Sequence, residues 1–222
     1  DVEQHCRELE RCNQRGGRML SLLDLIERET IPLNVAAHLM ATLAEGTSFL
    51  VGARPGGAGK TTIMCALANL LPPTWRLVAA THENMAIGAQ TSAQENPMAF
   101  VCHEIGSGAY FAYLWGKELR EYFELPARGH ILVTNLHADT QEETYDQICR
   151  INQVPEDRFN QMKLAVFIKV SGRYAVTRRI SSIYFSFEKQ GLRCVYDDTA
   201  GIRNEWTNHL GKQRIDVCES FL

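Results

Sequence analysis

The sequence predicts an α/β fold, a mostly parallel sheet flanked by helices, and three observations predict it. Short apolar segments, "SFLVGA", "RLVAAT", "MAFVCHE" and "HILVTNL", recur with helix-length connections between them, the pattern of strands joined by helical crossovers. A glycine-rich stretch, "RPGGAGKTT", links the first of these strands to "KTTIMCALANLL", a helix halted by Pro72 and Pro73. Later the texture turns β-rich in "AVFIKV", "RYAVTRRISSIYFSFE" and "LRCVYD", with turn signals at Ser171-Gly172 and Gln190-Gly191, which predicts an antiparallel β extension.

The remaining elements follow from the same periodicities. "LSLLDLIERET" places Leu20, Leu22, Leu23, Leu25 and Ile26 among charges, and Pro32 opens "PLNVAAHLMATLAEG", so two short amphipathic helices are expected before the first strand. "TQEETYDQICRI" and "EDRFNQMKLA" read as helices, "THENMAIGAQTSAQEN" as a polar loop, and the end from about Asp198 as weakly patterned. The organisation this predicts is a helical lead-in over 1–46, a core over 47–172, a β-rich extension over 173–200 and a tail over 201–222.

Composition narrows the chemistry. A net charge of -3 and a pI near 6.2 provide no global basic field, so nucleic acid is not favoured as a partner. No stretch is long and apolar enough to span a bilayer, and no signal-peptide pattern opens the chain, so a soluble protein is expected. Asp1 rather than Met comes first, which leaves an N-terminal domain beyond it open. The seven cysteines are odd in number and contain no C-x-x-C pair, which fits a reducing compartment. Cys65 and Cys102 lie in apolar stretches and are expected as small core residues.

A strand, a glycine-rich turn and Lys-Thr opening a helix form a polyphosphate cradle, because glycines let backbone N–H groups converge and the helix start adds partial positive charge. Pro55, Gly56, Gly57, Ala58, Gly59, Lys60, Thr61 and Thr62 are the expected nucleotide-binding residues. Lys60 would reach the β- and γ-phosphates and Thr61 would ligate Mg²⁺. The pattern asks for glycine where Arg54 stands, and Pro55 beside it fixes the entry to the loop. Whether Arg54 is solvated, lies over the nucleotide or meets a neighbouring subunit is open from the sequence.

Further along, "RGHILVTNLHADT" strongly resembles the histidine box of the ATPases that power type II and type IV secretion, type IV pili and the archaeal filament. Gly129-His130 and Leu136-His137 match its two ends, with Asn135 in place of threonine. "NPMAFVCHE" looks like the family's Walker B segment, "AATHE" falls where its acidic box follows the second strand, and "GRYAVTRRISSIYFSF" looks like the β-rich ending of its Tad, VirB and archaeal branches. The resemblance covers about residues 19 to 187.

That resemblance implies a RecA-like P-loop NTPase core binding ATP or ADP with Mg²⁺. It implies Glu104 as the residue that activates water, from the end of a strand beside the phosphate-loop strand. Glu83 would hold a Mg²⁺-bound water or help place the attacking one. His137 is the expected γ-phosphate sensor, whereas His130, an odd offset away at the other end of the strand, faces the opposite side and does not share a metal with it. Family members work as rings, commonly hexamers, with a membrane platform protein, which implies a cytoplasmic location at the inner face of the membrane. Arginines commonly reach across subunits, and Arg128, Arg173, Arg178 and Arg179 are candidates beside the plainer reading of solvated arginines.

Departures from the family are Arg54, Asn96 before the Walker B strand, His103 before Glu104, and "IGSG" where a basic residue is common. They leave a divergent nucleotide-binding regulatory module with little turnover as the alternative. A nucleotide or small-molecule kinase is disfavoured because the polar stretch Glu83 to Glu95 contains no arginine for a lid. DNA translocation is disfavoured by the acidic pI.

Overall fold

One sheet organises the chain, of which the computed structural model describes residues 2–12, 18–172, 176–188 and 191–222. Three helices lead in, α1 (Val2–Cys12), α2 (Leu22–Glu27) and α3 (Leu33–Leu43). They are followed by β1 (Phe49–Gly52), α4 (Lys60–Ala68), β2 (Arg76–Ala79), α5 (His82–Gln90), β3 (Met98–Ile105), β4 (Tyr113–Leu114), α6 (Gly116–Glu124) and β5 (Ile131–Leu136). The chain continues through α7 (Gln141–Tyr145), α8 (Glu156–Phe159), β6 (Leu164–Ser171), β7 (Thr177–Ser186), β8 (Leu192–Asp197), β9 (Gly201–Ile202), α9 (Asn204–Leu210) and α10 (Lys212–Phe221).

The strand order is β2-β3-β5-β1-β6-β7-β8-β9, with β4 paired to the end of β3. Pairing is parallel from β2 to β6 and antiparallel from β6 to β9. The central strands are buried on both faces, so their residues alternate between two cores with period two. Phe49, Val51, Val101, Val133 and Val166 pack into one core with α2, α3 and α4. Leu50, Phe100, Leu132 and Phe167 pack into the other with Met85 of α5, Phe123 of α6 and Phe159 of α8. Cys65 and Cys102 are buried, as expected.

Local chemistry explains the helix starts. Ser21 and Asp24 form a capping box at α2, and the hydroxyls of Thr81 and Thr140 cap α5 and α7. The stretch expected as a polar loop therefore contains helix α5. Its inner face is thin, since Met85 and Gly88 are its buried residues. A Cβ on Gly88 would come within 2.4 Å of Phe100, so this helix needs glycine to lie close to β3.

The expected antiparallel β extension is present from β6 to β9 and is continuous with the core sheet, because β6 pairs parallel with β1 before the chain reverses into β7. Two further expectations change. The strand ending in Glu104 is not beside the phosphate-loop strand; β5 lies between them, paired with both. The weakly patterned end folds into α9 and α10, which pack on α3. Trp206 is fully buried there, donates its indole N–H to Thr42 Oγ1 at 3.2 Å and meets the His38 ring in a tilted contact at 5.0 Å. Gln190 of the second turn signal lies outside the described residues.

Replacing Trp206 with alanine removes this anchor between the two ends of the chain. The expected loss is about 3–5 kcal/mol of stability, read as a lowered denaturant midpoint.

Candidate nucleotide site

The glycine-rich loop leaves β1 and returns as α4. Gly57 and Gly59 have φ of 78° and 94°, left-handed values that favour glycine, and Gly59 is the N-cap of α4 with Lys60 as its first residue. Arg54 is not among the positive-φ residues, so its backbone position is open to an L side chain. Glycine is required later in the loop and not at its entry.

Two side chains from two other segments converge on Lys60. Its Nζ lies 3.4 Å from Glu104 Oε2 at the end of β3 and 3.4 Å from His137 Nδ1 just beyond β5. His137 Nε2 is in turn 3.8 Å from Glu104 Oε2. Lys60 and Glu104 are each 8% exposed, whereas half of the His137 side chain is open to solvent. Burial pushes the Glu104 carboxyl above its ordinary range, partly offset by Lys60 and His137. Its Oε1 is buried and has no hydrogen-bond partner among the described residues.

These groups face a cavity of about 640 Å³ lined by the loop from Gly56 to Thr62, by Glu104, Tyr113 and His137, by the end of α2 and by Thr177 to Arg179 of β7. The structure thus brings Gly56, Gly57, Ala58, Gly59, Lys60, Thr61, Thr62, Glu104 and His137 together. Pro55 is exposed and is not part of the lining. Glu83 is also outside it, exposed in the first turn of α5. The reason is topological: α5 follows β2, the edge strand, and both β3 and β5 separate β2 from β1.

His130 serves the fold. It is buried, its Nε2 lies 3.1 Å from the Gly88 carbonyl and 3.0 Å from that of Thr91, and its ring meets Phe100 edge-on. It ties α5 to the sheet at the end of β5 opposite His137. Asn135 is fully buried and donates to the His103 carbonyl at 3.0 Å, joining β5 to β3.

The loop entry is pinned by residues that sequence patterns left unremarked. Asp139 accepts from the Arg54 amide at 2.7 Å, and Glu143 of α7 pairs with the Arg54 guanidinium at 2.6 Å. Glu143 also accepts from the Asp139 amide, and His137 Nδ1 lies 3.0 Å from the Arg54 carbonyl. Arg54 therefore meets its own α7. Asp139 and Glu143 belong to an ordinary polar helix start in the sequence, and their role depends on β5 lying beside β1. Of the other arginines, Arg128 is exposed and Arg179 pairs with Glu29 at 3.0 Å, while Arg173 lies outside the described residues. Arg178 reaches the loop of its own chain, donating from Nε to the Gly57 carbonyl at 3.2 Å.

The donor set suits Mg²⁺, a hard cation that binds few protein oxygens and completes its shell with water and phosphate. Thr61 and Glu104 both line the cavity, and Thr61 would offer a hydroxyl and Glu104 its unpartnered Oε1 as oxygen donors. Among the described residues no group of three or more His, Cys, Asp or Glu side chains could hold a metal, so the ion would depend on the nucleotide's own phosphates.

Comparison with known proteins agrees with the architecture. No protein-family model matches the sequence, and no curated protein matches it. Among solved structures, the chain is similar to the VirB11 ATPase from the Brucella suis type IV secretion system, in complex with sulphate, at a TM-score of 0.50 and 18% identity. The likeness covers 83% of this chain and 62% of that one. The fold is a mostly parallel α/β sheet flanked by helices, consistent with a RecA-like core.

The loop geometry separates two positions that both look important in sequence. Arg54→Gly should leave affinity for a non-hydrolysable ATP analogue within about threefold, because an exposed ion pair contributes little. Gly59→Ala should weaken the same binding at least about tenfold by straining a left-handed residue. Calorimetric titration of both variants measures the contrast.

Proposed function

We propose that this chain is a Mg²⁺-dependent ATP hydrolase and the motor core of a secretion, pilus or filament assembly machine. The observation that carries the hydrolase reading is the convergence of Lys60, Glu104 and His137 on one cavity floored by the glycine loop. The resemblance of the histidine box and the likeness to the VirB11 ATPase support the motor reading.

The chain's own groups have distinct tasks. Loop N–H groups and the start of α4 cradle phosphate, and Lys60 leaves Glu104 to meet the β- and γ-oxygens. The Glu104 carboxylate, freed and poorly solvated, then orients and polarises the attacking water as general base. His137 stands between Lys60 and the loop entry, where it can report the γ-phosphate to Arg54 and α7. Thr61 would hold Mg²⁺, which supplies neutralising charge at the phosphate oxygens when bound.

Lys60→Ala should abolish detectable nucleotide binding. Glu104→Gln should retain binding and lose about 10²–10⁴-fold in turnover. In the wild type the acid limb of kcat/KM should lie above the ordinary carboxylate value of 4.5, because burial raises the Glu104 pKa and the base works only when ionised. That limb should vanish from any residual activity of Glu104→Gln. Wild-type protein that binds ATP with little turnover would favour the second reading, a regulatory or assembly module. One observation favours that reading, the Glu104 carboxylate held by Lys60.

A ring of copies, with hexamers the expected form, and a membrane platform protein as partner belong to the same proposal. Size measurement by light scattering should show assembly in the presence of a non-hydrolysable ATP analogue, and a monomer under both conditions would count against the ring.

A further inference from the structure

We infer that Arg178 is a phosphate-contacting residue of this site, supplied in cis by the chain's own β7; the inference rests on the nucleotide reading above. Successive residues of a strand point to opposite sides, and the Arg178-Arg179 pair uses both. Arg179 turns to Glu29 after α2, while Arg178 turns to the loop. Its Cδ would lie 3.4 Å from a Cβ placed on Gly59, so the stem covers the left-handed glycine at the N-cap of α4. The Nε bond to the Gly57 carbonyl holds the guanidinium against the loop at 3.2 Å.

The charge balance of the cavity points the same way. Its lining contains Arg28, Lys60, Arg178 and Arg179 against Glu29 and Glu104. Both carboxylates are engaged, Glu29 by Arg179 and Glu104 by Lys60. Among the described residues Arg178 has no carboxylate within ion-pair distance and lies directly on the phosphate loop. A guanidinium has five N–H donors in a planar fork. With Nε anchored on Gly57, the terminal N–H groups remain for oxygens of a phosphate seated on the loop, a pairing for which the fork is suited.

The topology explains how a residue so late in the chain arrives here. β6 runs parallel to β1, and Ser171 at its end pairs with Thr177 at the start of antiparallel β7. The beginning of β7 therefore lies at the same sheet edge as the loop. Arg178, which the family resemblance offered as a candidate for a neighbouring subunit beside the plainer reading of a solvated arginine, is in this arrangement a residue of its own chain's site.

The test is calorimetric titration of the full chain with a non-hydrolysable ATP analogue at two salt concentrations, using wild type, Arg178→Ala, Arg178→Gln and Arg178→Lys. Arg178→Ala and Arg178→Gln should weaken binding about tenfold or more and flatten its salt dependence, since a charge-assisted hydrogen bond is lost. Arg178→Lys should recover part of the affinity and the salt dependence, and unfolding temperatures without nucleotide should shift little for this exposed side chain. Wild-type binding that Arg178→Ala and Arg178→Gln match within about twofold would overturn the inference while leaving the nucleotide site intact. A loss of affinity that Arg178→Lys does not relieve, with unchanged salt dependence, would also overturn it, because the arginine would then only shape the loop. Failure of the wild type itself to bind would instead remove the nucleotide reading.

Discussion

A parallel sheet brings the carboxyl end of every strand to one edge, and the organisation of this site depends on that constraint. β1 lies between β5 and β6, with β3 one strand further out. The glycine loop, His137 and Glu104 therefore leave the sheet at the same edge from three different strands. Reversal at the end of β6 adds the start of β7 to that edge, and with it Arg178. None of these residues is near another in sequence, and the sheet alone makes them neighbours.

The same constraint sets the electrostatics. Once β5 separates β1 from β3, Glu104 reaches Lys60 by extending over the end of β5, where His137 is placed. A lysine and a glutamate of equal, low exposure hold each other in register, and each retains donor or acceptor capacity for a third party. For Glu104 that capacity is explicit in Oε1, which is buried without a partner. Buried polar atoms in this condition are costly. Such a cost is found where a buried polar atom faces a binding cavity, and Glu104 lines the cavity above the glycine loop.

Arg54 illustrates how a pattern differs from the physics behind it. A glycine is indispensable where φ is positive, which in this loop is at Gly57 and Gly59. The entry to the loop has no such demand, and an arginine there gains Glu143 and leaves its amide for Asp139. The departure from the usual motif is thus a substitution at a permissive position. The helix that the sequence hid is the reverse case: "THENMAIGAQTSAQEN" reads as polar because α5 buries little, yet Gly88 seats it tightly on Phe100. With so thin an inner face there was little apolar periodicity to read.

The sequence by itself determined the α/β class, the order of most elements and the glycine-rich loop that offers Lys60 and Thr61 as candidates, because periodicity, glycine and proline act over a few residues, whereas it offered Glu104 and His137 through the family resemblance. Tertiary structure alone decided which strands are neighbours, and through them three outcomes. Glu104 stands two strands from β1, Glu83 is stranded at the edge beside β2, and Arg178 is folded back onto the loop. The physical reason is that strand order is a contest among long-range pairings and burial of two faces, here joining residues as distant as Gly57 and Arg178. No local pattern records its result.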